Sequence, residues 1–242
     1  MTTIEADKPA MSATRYAEPP APQTRLSRNE IEALCLKAAR GVGMPWGLAE
    51  EAGLIAGWLA AHGVDGPSVL LACLNVRPEG NNTIIIENRI WMSHSSNGLC
   101  PISVGAALSD HAGLEEGVGR GPVTIMTLLY PSLVIPHLAR IARASKTALV
   151  LRWDGGDTHI SATGEVDLAD LLELSQVPMT QLVVSPCDPI TSTIIETSLT
   201  PAGVCPLTSD TLAGLNTLAM RTTVAASEQS RHDAGASVDA DN

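Results

Sequence analysis

Few residues of this 242-residue chain have types and spacings that could do chemistry. Cys100 stands directly before Pro101, which places its thiol at a helix start, where free amides and the helix dipole favour a thiolate. With His94 or His111 as its base it would be a nucleophile, so Cys100, His94 and His111 are the candidate catalytic residues. Their spacing is diagnostic of no nucleophilic enzyme, and the competing reading is a thiol packed as a small hydrophobe. Glu50 and Glu51 follow Trp46 in the first turns of an expected helix. Trp46 and Glu50, together with Arg231 near the C-terminus, are the candidate substrate-binding residues. Successive helical residues diverge by about 100°, so Glu50 and Glu51 do not readily face one substrate, and helix-end stabilisation by the exposed amides competes with a site role.

Metal and phosphate chemistry find weaker support. Asp154, Asp157 and His159 offer oxygen and nitrogen donors, but Asp-Gly-Gly-Asp between two strand-like runs is the pattern of a hairpin turn. No histidine pair has zinc-ligand spacing, so no metal site is assigned. Gly117-Val-Gly119-Arg-Gly121 precedes a strand instead of following one and opening a helix, and Gly41-Val-Gly43 follows a helix. Neither is a phosphate loop. Trp46, Trp58, Trp91 and Trp153 have no interleaved basic residues and read as core or interface anchors, not as platforms for bases.

Composition narrows the partners. Fifteen Lys and Arg face 26 Asp and Glu, for a formal charge of -11. Without a basic cluster, a nucleic-acid backbone is repelled. Hydrophobic residues make up 45%, with no Phe, two Tyr and four Trp, so the expected core is aliphatic. Five cysteines, at 35, 73, 100, 187 and 205, form no CxxC pair; an odd number of mostly apolar-flanked thiols suggests a reducing, cytoplasmic compartment. No apolar run reaches the roughly 18 residues of a membrane span, and the N-terminus lacks a secretory pattern. The expectation is an acidic, soluble protein with no nucleic-acid or membrane partner.

Elements able to position these residues follow from caps and periodicity. Residues 1–25 lack apolar periodicity and read as a flexible tail. Ser27 and Glu30 have capping-box spacing, and Ile31, Leu34, Cys35 and Ala38 give the first helix one apolar face, with Gly41 expected as its left-handed C-terminal turn. Pro45 opens a second helix with a stripe of Leu48, Ala52, Ile55 and Leu59, closed by Gly63. A third helix spans about 68–76. Strands are expected at 83–87, 123–130, 147–153, 158–163, 181–185 and 191–198. Helices are expected at 101–111, 131–146, 166–175 and 209–222, with His137 counted in the apolar face of the second of these. Residues 88–100 read as an irregular polar loop, the kind of segment that carries function. The fold class is α+β or mixed α/β, an N-terminal helical hairpin packed on a mixed sheet with flanking helices. One domain is expected over 26–224, with a polar tail at 225–242 that docks on the body or is solvated.

Asn29-Glu30-Ile31-Glu32-Ala33, Ala38-Ala39-Arg40-Gly41-Val42-Gly43 and Trp46-Gly47-Leu48-Ala49-Glu50-Glu51-Ala52-Gly53 resemble the opening block of a proteobacterial family of unknown function. Leu218-Ala219-Met220-Arg221-Thr222, Ser230-Arg231 and Ala234-Gly235-Ala236 with Asp239 and Asp241 resemble its ending. The family's Gly-Ala-Gly segment and terminal Asp-Asn-Asp are here Asp233-Ala234-Gly235 and Asp239-Ala240-Asp241. The resemblance implies order from about 26 to 241, and no activity. Two functions then compete. One is an enzyme or enzyme component whose pocket, formed by loop 91–100, the 113–121 glycine-rich segment and the C-terminal tail, binds a small polar metabolite. The other is a non-catalytic accessory subunit or oligomeric binding module, a homo-oligomer or the partner of another protein. The pattern specifies no substrate, cofactor or reaction type.

Overall fold

Local hydrogen bonds decide where the first helix begins. In the computed structural model, which describes residues 23–76, 83–94, 97–187 and 204–223, strand β1 (Gln23–Ser27) runs directly into helix α1 (Arg28–Gly41). Ser27 Oγ accepts from the Glu30 amide at 3.4 Å, and Glu30 accepts from the Ser27 amide at 2.7 Å. This is the reciprocal cap expected from the sequence. Helix α2 (Trp46–Ala61) starts after Pro45, and Gly63 closes it at φ +81°; α3 (Gly66–Val76) follows. α1 and α2 approach closely because Gly53 and Gly57 present no side chain: a Cβ at Gly53 would sit 2.5 Å from the Glu32 carbonyl oxygen.

Gly41 does a different job from the expected one. Val42 caps α1, and the left-handed residue is Gly43, at φ +76°. A Cβ at Gly41 would overlap the carbonyl oxygen of Leu218, so a tertiary approach and not a turn requires that glycine.

Next come β2 (Ile85–Glu87), β3 (Ile90–Met92), α4 (Pro101–His111), β4 (Val123–Leu129), α5 (Ile135–Ser145), β5 (Ala148–Trp153), β6 (Gly156–Ile160), α6 (Leu168–Ser175), β7 (Met179–Cys187), β8 (Val204–Thr208) and α7 (Ser209–Ala219). Six strands form one sheet in the order β2-β3-β4-β7-β5-β6. β3 pairs parallel with β4 and the other neighbours pair antiparallel, so β4 and β5 run parallel on either side of β7, with α5 between them in sequence. β1 and β8 pair antiparallel in a separate two-stranded sheet. The architecture is α+β with a mixed sheet, as the sequence implied.

Three strands, β1, β3 and β8, were not among the expected elements. Residues 88–100 were expected to be irregular, yet Ile90–Met92 is a strand whose Trp91 is fully buried. Asn88 and Arg89, at φ +50° and +65°, make the two-residue turn of a hairpin with β2, a turn that more commonly uses glycine. Gln23–Arg25, assigned to the tail, belong to β1, which β8 stabilises from far along the chain. The strand expected at 191–198 lies outside the described residues. A single aliphatic cluster runs from Ile31 and Leu59 in the helical layer to Ile125, Leu151 and Val184 in the sheet. Among the described residues no helix is long and apolar enough to cross a membrane.

Candidate functional site

Cys100 is the N-cap of α4, as its place before Pro101 suggested, but it is buried and its side chain accepts no capping hydrogen bond. His111 ends the same helix; a rise of 1.5 Å per residue separates the two by about 16 Å. α4 therefore holds Cys100 and His111 apart. His111 packs edge-on against Trp91, with ring centroids 5.6 Å apart, while His94 is exposed beyond β3. Trp46 is 60% exposed; its Nε1 donates to Glu50 at 2.8 Å, and the Arg40 guanidinium lies 5.7 Å from its ring centre. Trp46 and Glu50 thus form a surface group at the start of α2. Arg231 lies outside the described residues.

Asp154 and Gly155 form the expected hairpin turn, and His159 Nε2 lies 3.8 Å from Asp157. Among the described residues no group of three or more His, Cys, Asp or Glu side chains is placed to hold a metal ion. In the glycine-rich connection, a Cβ at Gly117 would overlap the carbonyl oxygen of His111, and one at Gly119 would lie 2.7 Å from that of Ala112. Packing against the end of α4 accounts for both glycines.

Glu51, one position beyond Glu50, turns the other way, towards α5. It lines a cavity of about 670 Å³ with Ser109 and Asp110 of α4, Arg120 of the glycine-rich connection, and His137 and Arg140 of α5. His137 is 1% exposed. Its ring fits because Gly105 of α4 has no side chain: a Cβ there would overlap the imidazole.

Three contacts define the state of that ring. Arg140 Nη2 lies 2.7 Å from His137 Nδ1. A guanidinium only donates, so Nδ1 accepts and the ring proton sits on Nε2. Nε2 is buried without a hydrogen-bond partner, 3.6 Å from Glu51 Oε2, too long for a hydrogen bond. The same Arg140 nitrogen donates to Glu51 Oε2 at 2.8 Å, so one guanidinium nitrogen bridges imidazole and carboxylate. Burial, and then the Arg140 charge, push the His137 pKa down to about 4, partly opposed by Glu51 and Asp110. At neutral pH the ring is uncharged, in one tautomer.

Ser109 Oγ lies 3.1 Å from His137 Nδ1 and donates to the Gly105 carbonyl at 3.1 Å. Serine, histidine and glutamate in sequence suggest a nucleophilic triad, but the geometry opposes one. Arg140 occupies the Nδ1 lone pair that would take the serine proton, and Ser109 sits in the last turn of α4, where the helix dipole disfavours an oxyanion. What the arrangement can do is orient a polar ligand between two carboxylates and two guanidiniums beside an imidazole of defined protonation.

Sequence reading touched this site at Glu51 and in the 113–121 segment, which supplies Gly113, Val118, Gly119 and Arg120 to the cavity wall. It missed His137 and Arg140. The available signal was a histidine three positions before an arginine on one helix, a spacing that makes the two neighbours.

Comparison with curated proteins and with solved structures gave no match. The N-terminal block does match a family model: residues 26–97 correspond to a family described as Protein of unknown function (DUF3726). The match spans α1 to β3 and includes Glu51; Ser109, His137 and Arg140 lie beyond it. Over residues 26–97, then, the chain is similar to that family of unknown function.

Proposed function

We propose that the protein is an enzyme or enzyme component that binds a small polar metabolite in the cavity between α2, α4 and α5. The observation that carries this reading is His137: a buried, neutral imidazole on the cavity wall, its tautomer set by Arg140, with Nε2 left without a hydrogen-bond partner. Buried polar atoms are nearly always satisfied, and of the five buried side-chain atoms without a partner among the described residues only His137 Nε2 belongs to a residue of the cavity wall. Glu51, Asp110, Arg120 and Arg140 line the cavity with both signs of charge, which suits a polar ligand better than an apolar one. His137 is the residue to hold or move a proton, and Arg140 and Glu51 are those that set its state.

A thermal-shift screen of the full chain against a panel of polar metabolites tests the reading, because a ligand that binds only the folded state stabilises it, by about 2.7 kcal/mol at a hundredfold excess over Kd. A compound that raises Tm in the wild type, but not in Arg140→Gln, is the expected result. A panel without any stabilising compound sinks the proposal.

One feature favours the alternative of a non-catalytic oligomeric module: Ile90, Met126 and Met179, on three strands of the six-stranded sheet, are exposed. Sedimentation at increasing concentration tests it, and a monomer throughout, with no stable partner recovered, removes it.

A further inference from the structure

Arg140 does two incompatible things at the cavity wall. Its Nη2 caps the Nδ1 lone pair of His137 and neutralises Glu51, yet its side chain is 47% exposed, within reach of whatever enters the cavity. Resting on the pocket reading above, we infer that the ligand carries a carboxylate, that this carboxylate draws Arg140 away from His137, and that binding is coupled to uptake of one proton by the imidazole.

The charges that face the ring decide the direction. From α2 comes Glu51, from α4 Asp110, and from α5 Arg140, and Arg120 lines the same cavity. With Arg140 in place, the nearest charge to the ring is positive and the Nδ1 lone pair is already used. Pairing Arg140 with a ligand carboxylate in the bidentate manner guanidinium favours removes both obstacles. The ring is then left with Glu51 at 3.6 Å from Nε2 and Asp110, both anionic. A proton from solvent adds to the free Nδ1 lone pair, no other bond changes, and the imidazolium replaces the guanidinium as the counter-ion of Glu51. Each carboxylate thereby keeps a cation: the ligand takes Arg140 and Glu51 takes His137. Binding to the protonated form is what the buried Nε2–H, lacking a partner at present, would sharpen, because an imidazolium strengthens its pull on Glu51.

Calorimetry on the full chain tests this with L-lactate, a small carboxylate that stays ionised above pH 5, and with lactamide as its neutral counterpart. Titrations at pH 5.5 and 6.5, in pairs of buffers of different ionisation enthalpy, report the protons exchanged. The expected result is that lactate binds and lactamide does not, that lactate takes up as much as one proton, and that its affinity weakens by up to tenfold between the two pH values. The His137 ring resonances of the wild type move towards the imidazolium position when lactate is added, a readout needing no variant, and His137→Gln removes the uptake. Lactate bound without proton exchange, lactamide bound equally well, or uptake that persists in His137→Gln overturns the inference. If neutral polar compounds stabilise the protein while lactate and other ionised carboxylates do not, this inference fails and the pocket reading survives; if nothing binds, both fail.

Discussion

The α1–α2 and α4–α5 helix pairs are both brought together by glycine, and they use the closeness differently. In the α1–α2 pair, Gly53 and Gly57 let α2 rest on Glu32, whose carboxylate is paired with Arg28 one turn earlier at 2.7 Å. Ser27 and Trp46 of the hairpin are likewise satisfied within a few residues, by Glu30 and Glu50. In the α4–α5 pair, Gly105 admits an imidazole whose Nδ1 faces Ser109 of α4 and Arg140 of α5 and whose Nε2 has no hydrogen-bond partner, with Glu51 of α2 3.6 Å away. Short-range satisfaction marks scaffold, because each polar group is provided for whatever the rest of the chain does. A buried group that depends on distant elements, and is left incomplete, marks a place where something else is expected to bind.

The largest effect is expected at another glycine contact, where α1 meets α7. Gly41→Ala, which drives a Cβ into the Leu218 carbonyl where neither backbone can yield easily, is expected to cost about 3 kcal/mol or more in urea unfolding. Gly47→Ala on α2, with open space around it, should be neutral or stabilising by up to about 1 kcal/mol. Equal effects from the two would remove tertiary close approach as the reason for Gly41.

The pH dependence sharpens the contrast at His137. Its folded pKa of about 4 lies below the value of 6.5 for an unperturbed ring, so between these values the unfolded chain binds more protons than the folded one. Stability therefore rises with pH across that window, and falls as pH drops from about 6.5 towards 4, by at most about 3 kcal/mol from this group. The loss between pH 7 and pH 4.5 should be smaller in His137→Gln, and an identical loss in both proteins would mean the ring is not held neutral.

Gly105→Ala should cost about 1–3 kcal/mol by overlapping the imidazole and should displace the His137 ring resonances, whereas a purely local packing change would leave those resonances in place. The smallest effect distinguishes adjacent residues. Glu51→Gln should cost no more than about 1 kcal/mol, since its Arg140 partner is half exposed, and should abolish ligand-induced stabilisation. Glu50→Gln should stay within about 0.5 kcal/mol and leave that stabilisation unchanged. Loss of ligand response in Glu50→Gln instead would return the site to the Trp46 surface.

Much of this was readable in the chain wherever the cause is local. The Ser27–Glu30 cap, Pro101–His111 as a helix, the Asp154-Gly155 turn and the divergence of Glu50 from Glu51 all depend on residues within a turn of one another, and all are present in the fold. β1, β3 and β8 were not readable, because strands of three to five residues owe their existence to partners elsewhere in the chain. Gly41 shows the limit within a single residue: a glycine was expected there for a local left-handed turn, and what requires it is the close approach of Leu218, far along the chain.

The same division applies to the site. Sequence alone determined that the protein is acidic, that its core is aliphatic, that it opens with a capped helical hairpin, and that a carboxylate stands at residue 51. Tertiary structure alone decided that this carboxylate meets His137 and Arg140, because their juxtaposition depends on α2 crossing α5 and on α4 offering a glycine to the ring. On its own helix His137 is one more residue of a buried face, and only the neighbours brought by the fold make it neutral, oriented and incompletely bonded.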